Sequence, residues 1–156
     1  MKKKSDGSRF KEVRNARAYR DFFIDDRMEC GIVLKGTEVK SIRCGQAQIA
    51  EGFVRLQNNK ATLYHAHIAE YAFGTDANHN PYRPRELLMH KREFRKWAQE
   101  IQSGGKTIIP LRLYFKQGLV KIEVGLCRSK KMWDKREDLK KSIELREADR
   151  MVKRYS

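Results

Sequence analysis

Apolar positions along this chain come in short bursts, not long stripes. "YRDFFID" at 19–25 and "CGIVL" at 30–34 are aromatic and aliphatic runs of strand length. "QIAEGFVRL" (48–56) and "KATLYHAHI" (60–68) follow, with "QNN" (57–59) between them as a turn. Period-two alternation puts Ala61, Leu63, His65 and His67 on one face of the second run, and Thr62, Tyr64, Ala66 and Ile68 on the other. "KTIIPLRLYF" (106–115) and "LVKIEVGLC" (119–127) flank "KQG" as a hairpin. Pro110 lacks an N–H, which marks its strand as an edge strand or a bulged one.

Two segments carry the helical period instead. In "GTEVKSIRCG" (36–45), Thr37 is a helix N-cap residue and Glu38 suits the first turn. Val39 and Ile42 share a face, Arg43 closes the last turn, and Gly45 stops the chain, so two turns of helix sit between strands. Loop composition covers 73–85. Pro84 then opens a helix with Leu87, Phe94, Ala98 and Ile101 on one stripe and Leu88 beside it, and Gly104-Gly105 ends it. After Cys127 the pattern thins to Leu139 and Ile143, then Met151, Val152 and Tyr155. That is too sparse for a helix standing alone; it predicts a tail that is disordered when free and helical when bound. Short strands with one long helix and one small inserted helix predict a mainly β fold with helices, a small OB-fold-like β-barrel.

A length of 156 residues suits one domain with a real core. The organisation expected is a flexible basic leader (1–14), the barrel (15–128) and a basic tail (129–156). Three scattered cysteines, Cys30, Cys44 and Cys127, suggest reduced thiols. The lysines at the start precede no apolar run, so they do not read as a secretory signal, and no stretch has the length of a membrane span. A cytoplasmic monomer with no membrane partner and no cofactor is expected.

Charge adds the partner. The chain holds 35 Lys and Arg against 20 Asp and Glu, a net +15. The leader contributes +4 and residues 127–156 contribute +5, so +6 belongs to the barrel itself. Basic clusters gather at Arg14, Arg17 and Arg20, at Lys35, Lys40 and Arg43, and around 83–92. Such an excess favours binding to the phosphates of nucleic acid. The carboxylates beside these cations have two readings. Glu38 complements a helix dipole or meets RNA, and Glu29 is an ordinary strand-edge charge or an acceptor for base amino and ribose hydroxyl groups. His65, His67, His79 and His90 have no spacing that makes a metal centre, and none is expected. Asp25 and Asp26 with Glu29 suit either Mg²⁺ or a solvated hairpin turn. In the tail, Trp133 amid Lys130, Lys131, Lys135 and Arg136 joins a stacking surface to cations.

The blocks "NARAYRDFFID", "ECGIVLKGTEVKSIRCGQAQI", "NHNPYRPRELLMHKRE", "LRLYFKQGLVKIEVGL" and "KKMWDKRE" occur in an order and at distances that resemble the SsrA-binding proteins, the small protein B (SmpB) family. The resemblance runs from about Asn15 to about Glu137. It implies an OB-type barrel that binds the tRNA-like domain of tmRNA and escorts it to the A site of stalled bacterial ribosomes. The protein is then a non-enzymatic adaptor for trans-translation and ribosome rescue. By matching position, Asn15, Glu29, Lys40, Leu88 and Lys121 would lie on or support the RNA face, with Arg17, Glu38 and Arg43 as neighbours. Lys130, Lys131, Trp133, Asp134, Lys135 and Arg136 would belong to the tail that reaches the small-subunit decoding centre and empty mRNA channel. Ser129, Glu86 and Trp133 depart from the usual residues of that family. Two other readings stay open: a general single-stranded RNA-binding OB module or ribosome-associated chaperone, and a metal-dependent nuclease using Asp25, Asp26 and Glu29.

Overall fold

In the computed structural model of the chain, residues 10–74 and 77–155 are described, the side chains of 132, 133 and 155 excepted. Most of the expected leader therefore lies outside the described residues. What is described of it is folded. The Phe10 ring lies 4.8 Å from that of Phe115, and β1 (Val13–Arg14) pairs with β8 (Lys106–Lys116). The folded unit thus begins before Asn15.

The hairpin of β8 and β9 (Leu119–Ser129) is the spine of the barrel. Its turn is the two residues Gln117 and Gly118, both at positive φ (53° and 76°), which matches the twist of the strands it joins. β2 (Phe22–Ile32) pairs along the far side of β9, and β7 (Arg85–Leu88), β5 (Lys60–Tyr64) and β4 (Phe53–Gln57) follow in order. β4 returns to β8 through Val54 opposite Ile108, closing a six-stranded antiparallel barrel. Ile108, Ile122 and Val124 inside it are fully buried. This is the OB-fold-like, mainly β architecture expected. Register shifts between Ile24 and Asp26, and between Pro110 and Arg112, bend the two long strands; the Pro110 bulge accommodates the missing N–H.

Several elements differ from the pattern-based reading, each for a physical reason. The runs at 19–25 and 30–34 form one 11-residue strand, β2, preceded by a short helix, α1 (Ala16–Asp21). Asn15 caps that helix, its Oδ1 accepting from the Ala18 N–H at 3.2 Å. Asp25 and Asp26 sit at the β2 bulge and not in a hairpin turn. Asp25 pairs with Arg128 at 2.9 Å, and Asp26 accepts from Trp97 Nε1 at 3.0 Å. His65 has φ +61°, which breaks the alternation after β5. Ala66 and Ile68 consequently point into the core with Ala61 and Leu63, and His65 is exposed. The helix expected from Pro84 starts later, as α3 (Lys91–Gln102) with N-cap His90. Residues 85–88 are instead β7, because they fill the gap between β2 and β5; pairing overrides local propensity. Trp97 of α3 is completely buried, and Gly104 and Gly105 end the helix at positive φ as expected.

α2 (Gly36–Arg43) follows β2 as the sequence implies, although the N-cap is Lys35, not Thr37. The Lys35 N–H donates to Glu38 Oε1 at 2.8 Å, half of a capping box. β3 (Ala47–Gln48) and β6 (His67–Ile68) form a separate two-stranded sheet near it. The tail is a single helix, α4 (Met132–Tyr155), of 24 residues.

Candidate nucleic-acid interface

Strand register assembles the interface. Leu88 of β7 lies opposite Gly31 of β2, Gly31 opposite Lys121 of β9, and Lys121 opposite Tyr114 of β8. These four residues form one row across the outer wall. Leu88 is 58% exposed, with its side chain folded over Gly31: a Cβ there would meet Leu88 Cδ1 at 3.2 Å. The next row outward-facing in the same wall runs Glu29, Glu123, Arg112 and Arg14. An apolar residue, a lysine, a tyrosine and a carboxylate therefore share one convex surface, although 92 positions separate Glu29 from Lys121 in the chain.

The Glu29 carboxylate sits at the junction of the rows. Tyr114 donates its hydroxyl to Glu29 Oε2, and Lys116 Nζ lies 3.3 Å from Oε1. The Tyr114 hydrogen bond, with help from Lys116, holds the Glu29 carboxyl below its ordinary range. Burial, then Glu29 itself, pushes the Tyr114 phenol up, so the proton stays on the tyrosine. Arg112 lies over that ring, its guanidinium carbon 4.3 Å from the centroid, and also binds Glu123 at 3.1 Å. Tyr114 was not among the residues singled out from sequence. The signal available was its position: it faces outward between Leu113 and Phe115 in a strand whose neighbours point in.

Two expected contact residues are buried. Glu38 is 0% exposed, and so is Arg85. Arg85 Nε donates to Glu38 Oε2 at 2.6 Å, and Arg83 donates to Oε1. Burial acts to raise the Glu38 carboxyl, but hydrogen bonds from Arg83, the Lys35 backbone and Arg85 bring it below its ordinary value. The remaining Arg85 donors reach the carbonyls of Ala66 (2.7 Å) and Pro81 (3.0 Å). Glu38 is thus a clasp between α2, β7 and the loop after β6, closed to solvent. Asn15, 1% exposed, likewise caps α1 and donates from Nδ2 to the Pro110 carbonyl at 2.8 Å, fixing the β8 bulge. Both support the surface from beneath.

Lys40 and Arg43 are exposed on α2. Lys40 Nζ lies 5.5 Å from the Tyr71 ring centroid, and Arg43 lies 5.7 Å from that of Phe10. Arg17, on α1, is about half exposed and pairs with Glu51. Asp25, Asp26 and Glu29 do not converge on a metal site: each is engaged by cations or donors, and the described residues include no group of three acidic, His or Cys side chains that would hold a metal ion.

In the tail, the expected residues divide. The Lys130 N–H donates to the Asp21 carbonyl at 2.9 Å, and its Nζ reaches the Tyr19 carbonyl at 3.2 Å and Asp138. With its side chain only 8% exposed, Lys130 anchors the helix to α1. Lys135 pairs with Asp21 at 3.5 Å, and Asp134 accepts from the Lys131 N–H at 3.3 Å. Lys131 and Arg136 face solvent. The Trp133 side chain lies outside the described residues.

Comparison with known proteins supplies the context for this surface. The sequence model of the family described as SmpB protein matches residues 12–154. The SsrA-binding protein of Geotalea uraniireducens is 53% identical over 127 residues, which is 81% of this chain and 84% of that one. The SsrA-binding protein of Geobacter sulfurreducens is 49% identical over 142 residues, 91% and 93% of the two chains. A solved structure described as "tmRNA-SmpB: a journey to the center of the bacterial ribosome" superposes with a TM-score of 0.66 at 40% sequence identity, covering 78% of this chain and 85% of that one.

Proposed function

The chain belongs to the SmpB protein family, and on that premise we propose that it is the protein adaptor of trans-translation. It binds the tRNA-like domain of tmRNA and delivers it to the A site of a stalled ribosome. The barrel binds the RNA, and α4 probes the decoding centre and the empty mRNA channel. Peptide transfer belongs to the ribosome, so the chain itself is no enzyme. Its work is done in the cytoplasm; among the described residues, no helix is long and apolar enough to cross a membrane.

The observation that carries this reading is the row of Leu88, Lys121 and Tyr114 beside Glu29. A helix of RNA offers phosphates and 2′-hydroxyls at regular intervals but presents unstacked bases only at loops, bulges and ends. Lys121 and Lys116 supply charge for the phosphates. Leu88 supplies an apolar contact for an exposed base, and Glu29, pre-set by Tyr114, accepts from a base amino group or ribose hydroxyl. The Glu38 clasp and the Asn15 cap hold the elements that carry these groups, so binding does not begin by ordering them.

The tail follows a different logic. Leu139, Leu145, Met151 and Val152 are each more than half exposed on α4. The helix has little of its own packing to hold it, so 129–156 orders fully only against the walls of the channel it enters. The test is a titration of the purified chain with the tRNA-like domain of tmRNA and with unstructured RNA of equal length. Selective binding to the folded RNA is expected. If roughly 6–10 phosphates are contacted, affinity should fall by about 10³–10⁵ between about 50 and 200 mM salt, taking duplex binding as the guide. Equal affinity for both RNAs would instead assign a general single-stranded RNA-binding module.

A further inference from the structure

Between β6 and β7 the chain leaves the barrel, and residues 69–74 and 77–84 of this segment are described. Its legs are joined by the Ile68 N–H to the Pro81 carbonyl (3.0 Å), and nearer the tip the Asn78 side chain brackets Tyr71, donating to its carbonyl (2.9 Å) and accepting from its N–H (3.3 Å). From below, the loop is locked to α2 and the barrel. His79, 1% exposed, bridges Thr37 Oγ1 and the Ile68 carbonyl, both at 2.8 Å, and Arg83 and Arg85 bind the buried Glu38. A loop fixed this firmly would be expected to hide its aromatic residues. It does the opposite: Phe73 is 84% exposed and Tyr82 is 62% exposed.

The Phe73 and Tyr71 rings meet edge to face, 5.7 Å apart, and the Lys40 ammonium sits 5.5 Å from the Tyr71 centroid. At the base of the loop, Tyr82 leans on His67 at 4.9 Å. An exposed ring held upright by a second ring, with a cation beside it, matches an unstacked base joined to a phosphate. Charge selects the occupant. Lys40 and Arg43 lie on the exposed side of α2 in a chain of net +15, which favours a polyanion over an apolar peptide.

We propose that Phe73 and Tyr71, with Lys40, form a second RNA contact, a stacking platform for one or more unpaired bases of the folded RNA, and that Tyr82 extends it. The buried clasp at Glu38 is then the support of this platform as well as of α2. This inference rests on the RNA-adaptor reading and adds to it a contact separate from the row of Leu88 and Lys121.

The experiment compares the full chain, Phe73→Ala, Phe73→Trp and Lys121→Ala for binding to the tRNA-like domain of tmRNA and to unstructured RNA. Because Phe73 is exposed, its thermal melt should match that of the unchanged chain. Phe73→Ala is expected to weaken binding to the folded RNA roughly tenfold, as for one lost base–aromatic stack, and Phe73→Trp to retain it. Photoreactive p-benzoylphenylalanine in place of Phe73 should crosslink to an unpaired nucleotide. Wild-type affinity in Phe73→Ala, or loss in both Phe73 variants alike, overturns the platform while a weakened Lys121→Ala leaves the adaptor reading standing. RNA affinity unchanged with ribosome engagement lost would assign the loop to a ribosomal protein and also overturns it. If the unchanged chain prefers neither RNA, the adaptor reading itself has failed, and the platform with it.

Discussion

The barrel and α4 are built on opposite terms. The barrel closes every strand edge between β4 and β8, and it buries a carboxylate against two arginines to hold α2 in place. α4 is a 24-residue helix that meets the rest of the chain chiefly at α1, through Lys130 and Lys135, and leaves most of its apolar side chains in solvent. A recognition surface must exist before its ligand arrives, because ordering it on binding costs affinity. A probe that enters a narrow channel gains from the reverse, folding where the walls complete its packing. The proposed division of labour puts the join between the two regions at Lys130, the residue that ties the tail to α1.

The largest expected effect breaks that join. A chain ending at Lys130 should bind the tRNA-like domain with an affinity close to that of the full chain, and lose rescue of stalled ribosomes entirely in a reconstituted translation assay. Loss of RNA binding in the same variant would remove the division of labour.

Next comes the clasp. Glu38→Ala leaves Arg85 buried without its anion, which should cost about 3–5 kcal/mol in urea denaturation. The pH dependence has a definite sign. The Glu38 carboxyl lies below its ordinary value of 4.5 in the folded chain, so its contribution is complete above that value and is lost as pH falls below it through the folded value. Glu38→Gln should flatten that acid limb of the stability profile. An equal acid slope in the variant would show that the clasp does not couple to protonation.

Smaller effects separate the outer wall from what supports it. Lys121→Ala should weaken RNA binding roughly ten- to a hundredfold with an unchanged melt, as for the loss of one charge-assisted contact, and should lower the salt slope by about 0.7–1. Tyr114→Phe removes the hydroxyl that holds Glu29. It should weaken folded-RNA binding less than Lys121→Ala does, and a Glu29→Ala, Tyr114→Phe double variant should lose no more than Glu29→Ala alone if Tyr114 acts through the carboxylate. Smallest of all, Leu139→Ala on the exposed helix should leave global stability within about 0.5 kcal/mol. A larger loss would mean that α4 is an integral part of the barrel.

What could be read from the sequence follows the same division. The β8–β9 hairpin, the Pro110 bulge and α2 were legible because local chemistry and final structure agree there. β7 was not, and the reason is informative. Leu87 and Leu88 side by side, seven and six positions ahead of Phe94, imitate a helical stripe. In the barrel Leu87 points in and Leu88 points out, so the exposed leucine is the one that spoils the alternation. His65 hid the change of face after β5 because its positive φ has no strong sequence signal in a non-glycine residue. For Glu38 the sequence leaves two readings, a helix-dipole partner or a neighbour of the RNA face, and neither is a buried ion pair. Only the tertiary fold brings Arg83 and Arg85, more than forty positions away, onto it. On the outer wall, family resemblance marks Glu29, Leu88 and Lys121 but not Tyr114, whose partners depend on which strand lies next to which.

The most direct test of a preformed barrel that recognises folded RNA independently of its tail is hydroxyl-radical footprinting of the tRNA-like domain, once with the full chain and once with the chain ending at Lys130. Both should protect the same compact patch at the bend of the RNA. Protection scattered along unpaired segments, or a patch that vanishes when the tail is removed, would contradict the account.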